Sequence, residues 1–571
     1  MNKILNKLYL KTEKGDSFLE TENYLVDSNL KPKEELDEFA KKYFHLSPEE
    51  IFEIQNKITE LHCQHEMNFQ IKDPNGTYNK VVATPFQGFA PLPFSSVAKL
   101  VDSTTEPLIK LRQILQLIYS KKEPTIENYK NLGISNKDAV TIHKIVMDNI
   151  YYEPNLVNKK FENYPFLPLV GFDAAVSNLA DPKCTFFEYN AGTPCGIEDQ
   201  YQLYHHLKSL DLDFFKESKF DRDWDNSHFL LRKTIEDCAN SWTNNLEGIC
   251  VVISPGPYSP AHPEIAALAI RAKMPLVKMS DLYIDESGHV RFMSHRGEHP
   301  VVKGVYNRRE ESFFIYSQDL KIPLRSPFNR EVNERLSKKL GLDLHPGILY
   351  SYIYDDKGKV ESIEMDKDNK PVFQNLFDQI SPDPKTGKIG NLIEAVWDKK
   401  FFISNIGGRI LDDKRVFRII DKTLNSKSFA HPPKGVTIDE LEEKIDSSVV
   451  KIPDQSGGAG VLIGPCLSSL EKSQIIKEVK LQPDFYELQT LEKLAVIPTI
   501  QKKQNVLEFQ TMPVDWRLIV FFDGNNKTNW SQHSCLVRTA NFGDIKTNTS
   551  AGGGYALGLI CLLYTSPSPR D

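Results

Sequence analysis

Hydrophobic residues at helical spacing dominate the first 160 residues. The segment SPEEIFEIQNKITELHCQHEMNF (47–69) opens with a Ser-Pro-Glu-Glu cap signal and continues with apolar residues three and four apart. The segment EPLIKLRQILQLIY (106–119) repeats this pattern. We therefore predict that residues 1–160 are mainly helical.

The pattern changes in the middle of the chain. GICVVISPGP (248–257) is typical of a buried strand that ends in a Gly/Pro turn, and HPEIAALAIRAKMPLVKMSDLYI (262–284) follows with a helix, a short strand and a further helix or strand. This alternation indicates parallel α/β organisation. YIDESGHVRFM (283–293) predicts a hairpin with a Ser-Gly turn.

Strands and helices mix again from about residue 435. The segment SSVVKIPDQSGGAGVLIG (447–464) predicts two strands around a glycine loop. The segment VDWRLIVFFDGNNKTNWSQHSCLVRTA (514–540) predicts a hairpin that turns at DGNN.

Composition narrows the class of protein. A chain of 571 residues is too long to fold around a single hydrophobic core, so we expect two or more domains or one large composite α/β body. The net charge of −7 argues against a general nucleic-acid binder. The sequence contains no apolar run of membrane-spanning length and no signal-peptide pattern, so we expect no membrane partner. Eight cysteines without CxxC pairs suit reduced thiols, and we expect a cytoplasmic protein.

The final residues form an unusual segment. CLLYTSPSPRD (561–571) is similar to one reading frame of a sequencing adapter. We expect this segment to be non-biological and the natural protein to be truncated there.

Several segments carry candidate chemistry. Glu188 and Asn190 follow an apolar run and share one face of a strand end, where they could bind a cation or cap backbone groups. Lys451 leads into a glycine loop that could cover phosphates or serve only as a turn. Lys414 starts a helix-like run, and Asp515 and Arg517 share a strand face. Each of these, taken alone, is also compatible with a solvated charge.

In combination, these segments resemble the circularly permuted ATP-grasp type 2 family and the ATP-grasp part of glutathionylspermidine synthetase. The resemblance covers roughly residues 165–555 through nine ordered motifs: GFDAAVSN, FFEYNAGTPCG, PYSPAHPEIAALAIRAKMPLVKMSDL, GVYNRREESF, NLIEAVWDKKFFISNIGGRILDDKRVF, VVKIPDQSGGAGVLIG, YELQTL, VDWRLIVFF and LVRTANFG…NTSAGGG. The acidic motif precedes the lysines, which is the order that marks the permutation.

The resemblance implies an α/β (α+β) fold, namely an ATP-grasp fold in circularly permuted order. It implies a helical N-terminal region and a parallel-sheet subdomain like the one that precedes other ATP-grasp folds. The expected parts are the helical region (1–160), the first core part with the metal motif (161–240), the parallel-sheet subdomain (241–400), the nucleotide-binding subdomains (401–560) and the adapter-derived segment (561–571).

The resemblance also implies a Mg²⁺-ATP site. The expected residues are the metal ligands Asp173, Glu188 and Asn190; the phosphate lysines Lys414 and Lys451; the loop glycines Gly457, Gly458 and Gly460; Gln489 near adenine; and Arg517, Arg538 and Asn548 facing the γ-phosphate and the activated acyl group. Arg308 and Arg309 could clamp a substrate carboxylate or form structural ion pairs.

The implied activity is that of an ADP-forming carboxylate–amine ligase acting on small-molecule or peptide acids and amines. Two alternatives stay open at this point. One is a nucleotide-binding protein without ligase chemistry, acting as a scaffold or partner. The other is an ATP-dependent kinase with the same fold.

Overall fold

Helices and strands alternate through most of the chain. The computed structural model describes residues 46–561 except 66, 73–77, 121–123, 150–151, 153–156, 177–183, 213–226, 255–260, 295, 309–323, 326–329, 345–347, 356–359, 373–379, 425–429, 432, 454–459, 504, 523–527, 541–544 and 548–552. The helices are α1 Pro48–Gln64, α2 Phe94–Ser120, α3 Ile126–Lys130, α4 Asn136–Asp148, α5 Ile197–Ser209, α6 Ser227–Thr243, α7 His262–Arg271, α8 Arg330–Leu340, α9 Leu392–Trp397, α10 Gly408–Leu411, α11 Lys414–Leu424, α12 Ile438–Lys444 and α13 Ser469–Leu481.

The strands are more numerous and are distributed over several sheets. They are β1 Asn68–Lys72, β2 Tyr78–Ala83, β3 Phe86–Pro93, β4 Leu169–Val176, β5 Cys184–Asn190, β6 Ile249–Ile253, β7 Leu276–Val277, β8 Leu282–Ile284, β9 Val290–Phe292, β10 Val302–Asn307, β11 Leu324–Arg325, β12 Ile348–Leu349, β13 Tyr352–Tyr354, β14 Val360–Ile363, β15 Phe402–Ile403, β16 Ala430–His431, β17 Ser448–Lys451, β18 Val461–Ile463, β19 Glu487–Thr490, β20 Ala495–Lys503, β21 Val506–Phe522, β22 Thr528–Thr539 and β23 Tyr555–Cys561. The expected mixed α/β content is confirmed.

Helix α1 begins where the sequence predicts. The Ser47 hydroxyl accepts a hydrogen bond from the Glu50 backbone N–H at 3.2 Å, and the Glu50 carboxylate accepts from the Ser47 N–H at 2.7 Å. This reciprocal pair satisfies two backbone donors that no helical carbonyl can reach. The predicted helix over 106–119 lies within α2. The same N-terminal region also contributes the β1–β2 hairpin and β3, which the helical spacing did not indicate.

The largest sheet supplies the floor of the site. Its strand order is β16-β5-β4-β21-β22-β23-β3, and β20 pairs with the first half of the long strand β21. The neighbours β5, β4, β21 and β22 are antiparallel to each other. Strand β3 joins the far edge in parallel with β23, so the first and last described strands of the sheet are neighbours.

The parallel α/β organisation predicted for the middle of the chain is confirmed. Strands β15, β10, β6 and β7 form a four-stranded sheet whose pairings are all parallel. Strand β15 joins this sheet from residues 402–403, just beyond the expected boundary at residue 400. The predicted hairpin at 283–293 is the antiparallel pair β8–β9.

A small antiparallel unit covers one side of the large sheet. It contains β18-β17-β19 and has its own apolar core, separate from the main core, made of Val436, Leu441, Ile445, Val450, Val479 and Leu488. These buried residues do not belong to the cluster that forms the main core.

The last described strand reaches the expected adapter-derived segment. Strand β23 ends at Cys561, whose register partner is Pro93 on β3. Residues 562–571 lie outside the described residues. No helix among the described residues combines the length and the apolar character needed to cross a membrane.

Candidate functional site

A cleft of about 770 Å³, open to solvent, lies between the large sheet and the small antiparallel unit. The large sheet contributes mainly charged side chains, and the small unit contributes an apolar patch of Val449, Val461 and Ile463 beside the polar Lys451, Gln489 and Thr490. The lining residues are Asp173, Phe187, Glu188, Pro433, Val449, Lys451, Val461, Ile463, Gln489, Thr490, Leu491, Glu492, Leu494, Asp515, Arg538, Ile545, Lys546 and Thr547. An apolar wall facing a charged floor suits a ligand with a flat base and an anionic tail.

Two lysines from separate elements converge on β5. Lys414 is the first residue of α11, and its Nζ lies 3.7 Å from Glu188 Oε2. Lys451 ends β17, and its Nζ donates to the Phe187 carbonyl at 3.4 Å. The backbone N–H of Lys414 also donates to the Pro453 carbonyl at 3.2 Å, at the start of the glycine loop. The two predicted phosphate lysines therefore reach adjacent residues of one strand.

Lys451 is buried with its charge incompletely balanced. Burial, opposed by Glu188 and supported by the nearby Lys414, lowers the pKa of its ammonium to about 8. Only 6% of the residue is exposed. A buried cation beside a second cation gains stability when an anion binds, so this position favours a phosphate ligand.

The acidic side of the cleft comes from β4 and β5. Asp173 on β4 and Glu188 on β5 are register partners, and both line the cleft. A bulge next to this pair shifts the register between Asp173 and Ala174. Asn190 lies two residues after Glu188, and its buried amide nitrogen has no hydrogen-bond partner among the described groups. Two of the three predicted metal ligands, Asp173 and Glu188, thus meet in the cleft, whereas Asn190 is not among the residues that line it.

An arginine–carboxylate network occupies the floor. Arg517 donates from Nε and Nη2 to the two carboxylate oxygens of Asp173 at 2.6 and 2.7 Å. Arg538 donates from Nη2 to Asp173 at 2.9 Å, and from Nε and Nη2 to Asp515 at 2.9 and 2.6 Å. Charge-assisted pairs of this geometry fix both partners firmly.

The network also sets the ionisation of its members. Burial opposes the charge of Asp173, but Arg517 and Arg538 hold its pKa well below the ordinary value. Asp515 differs, because burial and the neighbouring Asp173 raise its pKa although Arg538 opposes this. Burial also disfavours the charge of both guanidinium groups. Asp173 nevertheless holds the pKa of Arg517 above the ordinary value, and Asp173 and Asp515 together do the same for Arg538.

The sequence did not assign three of the residues in this network. Asp515 accepts from Arg538 and also from the Thr547 hydroxyl at 2.7 Å. Arg517 Nη1 lies 3.4 Å from Cys195 Sγ. The position of Asp515 two residues before Arg517 on one strand was a usable signal, since such residues share a face. Thr547 and Cys195 carried no local signal.

The other end of the cleft is built by β19 and the segment after it. Gln489 lines the cleft, and its place near adenine stays a prediction. Arg418 forms an ion pair with Glu487 and donates to the Leu488 carbonyl at 2.9 Å, so a helix holds this strand in place. Burial raises the pKa of Glu487, and Arg418 and Lys451 oppose this effect.

The glycine loop is described only at its two ends. Strands β17 and β18 pair in antiparallel register on either side of it, and the Ile452 N–H donates to the Gly460 carbonyl at 2.8 Å. Gly460 has a φ of 66°, in the left-handed region that favours glycine. The predicted loop residues Gly457 and Gly458 lie outside the described residues, as does Asn548.

Arg308 is held by a neighbouring acid. Its guanidinium donates to both carboxylate oxygens of Glu264 at 3.1 and 2.6 Å, and only 8% of the residue is exposed. This contact is the structural ion pair that the sequence left open. A substrate role for Arg308 stays a prediction, and Arg309 lies outside the described residues.

The donor set can accommodate a hard divalent cation. Within the described part of the chain, no group of three His, Cys, Asp or Glu side chains is arranged to hold a metal ion. The expected set has only two carboxylates and one carboxamide, so phosphate oxygens and water would complete the coordination, as magnesium commonly requires. Glu188 faces the cleft with 25% of its side chain exposed, whereas both carboxylate oxygens of Asp173 already accept from arginines and would have to be shared with the cation. These residues therefore fit Mg²⁺.

Comparison with known proteins supports part of this assignment. The family model described as circularly permuted ATP-grasp type 2 matches residues 127–320, which include Asp173, Glu188 and Asn190 but not the lysines. A glutathione synthetase-like effector from Globodera pallida, solved in its apo form, is 12% identical with a TM-score of 0.44, over 90% of this chain and 98% of that chain. At these values the likeness supports no conclusion about activity. No curated protein matches the chain. The resemblance to the circularly permuted ATP-grasp type 2 family is thus confirmed over residues 127–320.

Proposed function

We propose that this protein is an ATP-dependent ligase that joins a carboxylic acid to an amine and releases ADP and phosphate. The observation that carries the proposal is the convergence of Lys414 and Lys451 on the residues beside Asp173 and Glu188, from segments far apart in the sequence. ATP-grasp enzymes generally use such a site to activate a carboxylate, and the family match supports this class of activity.

The chain's own residues would act by binding and orientation. Lys451 and Lys414 would hold phosphate oxygens, and the Gln489 side of the cleft would take the adenine. Arg517 and Arg538 would hold the γ-phosphate end against the large sheet. Positioning and electrostatic stabilisation supply most of the rate in phosphoryl transfer, so no side-chain nucleophile is required.

The reaction balances without further reagents. A carboxylate oxygen of the acid attacks the γ-phosphorus, forming an acyl phosphate and releasing ADP. The amine then attacks the acyl carbon, phosphate leaves with the C–O bonding electrons, and the amine loses one proton to solvent or to a nearby base. The product is an amide.

Magnesium would be held by Glu188, Asp173 and Asn190, and when bound it supplies positive charge next to the phosphates. Both arginines already pair with acids in this structure. A bound triphosphate therefore needs additional positive charge, because the two lysines alone offset only part of its negative charge.

The test measures ADP and phosphate separately. Amino acids and other small acids are first screened by thermal shift with a non-hydrolysable ATP analogue and Mg²⁺. Hits are then assayed for ADP and phosphate release with the acid alone, the amine alone and both together. A ligase releases both products only when the acid and the amine are present. ADP release without phosphate would indicate a kinase, and nucleotide binding without turnover would indicate a binding protein.

A further inference from the structure

The loop after Asn190 packs against the turn over residues 405–412 with almost no space between them. A Cβ atom at Gly408 would lie 2.3 Å from the Ala191 carbonyl oxygen, and one at Gly192 would lie 2.5 Å from Arg409 Cδ. Both distances are below a normal contact: a side chain at Gly408 would meet backbone that cannot yield, and one at Gly192 would displace the Arg409 side chain. The two backbones are therefore held in one relative position.

Hydrogen bonds fix this contact from the 405–412 turn. One carboxylate oxygen of Asp412 accepts from the Ala191 N–H at 2.6 Å and from the Gly192 N–H at 3.2 Å. The amide of Asn405 donates to the Leu169 carbonyl at 2.8 Å and to the Ala191 carbonyl. The residues that directly follow Asn190 thus have both an N–H group and a carbonyl group anchored by this turn.

The same turn leads directly into the phosphate lysine. Lys414 lies two residues after Asp412, and it contacts Glu188 through its side chain and Pro453 through its backbone N–H. Residues 412 and 414 therefore contact both ends of the segment 188–192 and the start of the glycine loop. A displacement of Asp412 would therefore move the Glu188–Asn190 end of β5 relative to Lys414.

We propose that Asp412 is a positioning residue that holds the Glu188–Asn190 end of β5 in place for a phosphate-bound divalent cation. This inference rests on the proposed function, because it concerns how that site is assembled. Asp412 touches neither the cleft nor a reacting atom; it acts through the backbone of Ala191 and Gly192. Outer partners of metal ligands typically influence metal affinity by about 10- to 100-fold.

The charge of Asp412 has a local partner as well. Arg409 Nη1 lies 3.3 Å from its second oxygen. Burial raises the pKa of Asp412, although Arg409 and the two backbone N–H groups oppose this shift. The proposed contact lies at the oxygen that accepts from the loop, and an asparagine oxygen at the same place can still accept both hydrogen bonds, although more weakly than a carboxylate and without the Arg409 ion pair.

The experiment compares Asp412→Ala with Asp412→Asn and with the control Asp398→Ala, whose side chain is 52% exposed. The dissociation constant for ATP is measured by calorimetry with and without Mg²⁺. In Asp412→Ala we expect the magnesium-free affinity to stay within about threefold of wild type, and the gain in affinity on adding Mg²⁺ to fall by about tenfold or more. Asp412→Asn should keep most of the wild-type gain, and Asp398→Ala should keep all of it.

Three results would overturn the inference. They are an unchanged magnesium gain in Asp412→Ala, an equal loss of affinity with and without magnesium, and an Asp412→Asn variant as impaired as the alanine variant. If Asp412→Ala does not fold, hydrogen exchange on the wild type decides. Mg²⁺ added to the ATP complex should slow exchange of the Ala191 and Gly192 amides, and no slowing would overturn the inference. If the wild type binds no nucleotide at all, the proposed function itself fails.

Discussion

Arg517 and Asp173 form a bidentate ion pair, with Nε 2.6 Å from one carboxylate oxygen and Nη2 2.7 Å from the other. They are register partners on the neighbouring strands β21 and β4, although 344 residues separate them in the sequence. Asp173 is therefore both an expected metal ligand and the counter-ion of the arginines that would face the γ-phosphate. Under the proposed function, nucleotide binding would redistribute these contacts.

Removing Asp173 should destabilise the protein. Asp173→Ala would leave Arg517 buried without its main partner, and breaking one side of a buried ion pair costs about 3–5 kcal/mol. Urea denaturation should show this loss in the free energy of unfolding. Asp398→Ala, at an exposed ion pair, should change it by less than about 0.5 kcal/mol. Equal stabilities would mean that the network does not stabilise the fold. The pKa of Asp173 is lower in the folded protein than in the unfolded chain. The stabilisation it provides is therefore constant at neutral pH, and it is lost only when the pH falls below the unfolded pKa toward the folded one.

Glu188→Ala should abolish magnesium-dependent ATP turnover while the fold stays intact. The Glu188 side chain faces the cleft and contributes no apolar packing to the core. Turnover is measured as ADP release, and folding as the thermal transition by circular dichroism. Glu236→Ala, in an ion pair on α6, is the matched control and should turn over ATP normally. Normal turnover in Glu188→Ala would remove Glu188 from the proposed site.

Lys451→Met should weaken ATP binding by roughly ten- to a hundredfold, because a buried charge-assisted contact contributes about 1.5–3 kcal/mol. Lys451→Arg should restore only part of the affinity, since a planar guanidinium does not replace a compact ammonium. Calorimetric titration with Mg-ATP measures both effects. The control Lys444→Met alters an exposed helix pair and should bind as wild type does. A similar affinity in all variants would contradict the role of Lys451.

The affinity for ATP should depend on pH through Lys451. Its pKa is lowered to about 8 by burial, so above that pH the free protein carries a neutral amine. Binding a phosphate then requires uptake of a proton, and the affinity should fall by up to about tenfold per pH unit above pH 8. Below pH 8 the lysine is protonated and the affinity should be level. In Lys451→Met the plot of ATP affinity against pH should not change slope near pH 8. A change of slope that persists in this variant would assign the titration to another group.

A histidine cluster predicts acid sensitivity of the α1–α5 contact. Burial lowers the pKa of His62 to about 4 and that of His206 to about 3, and His65 Nδ1 lies 2.6 Å from His206 Nε2. Because the folded state disfavours protonation, stability should be level above pH 6.5 and should fall as the pH drops from there to 4. His62 alone contributes up to about 1.4 kcal/mol per pH unit. Urea denaturation of His62→Leu between pH 7 and 5 should show a shallower fall, and an unchanged slope would contradict this.

Local elements could be predicted because their causes are local. The Ser47–Glu50 capping box, strand β6 and the β8–β9 hairpin depend on residues within a few positions of each other. Two of the expected metal ligands lie on one strand, so spacing alone placed Glu188 and Asn190 together.

Contacts between distant segments could not be predicted from spacing. The Arg517–Asp173 pair and the binding of Ala191 by Asp412 join residues more than 200 positions apart. Strand β3 was missed for the same reason, since its partner β23 lies near the other end of the chain. The partner of Arg308 could not be predicted from residue type, because an arginine can bind a substrate or a neighbouring acid equally well. Only the structure reveals that its guanidinium pairs with Glu264.

A crystal structure with Mn²⁺ and a non-hydrolysable ATP analogue tests the central claim most directly, because Mn²⁺ replaces Mg²⁺ and gives an anomalous signal. We predict the triphosphate between Lys414 and Lys451, with an anomalous peak bound to Glu188 and the adenine beside Gln489. A nucleotide bound elsewhere, or a metal peak away from Glu188 and Asp173, would contradict the account.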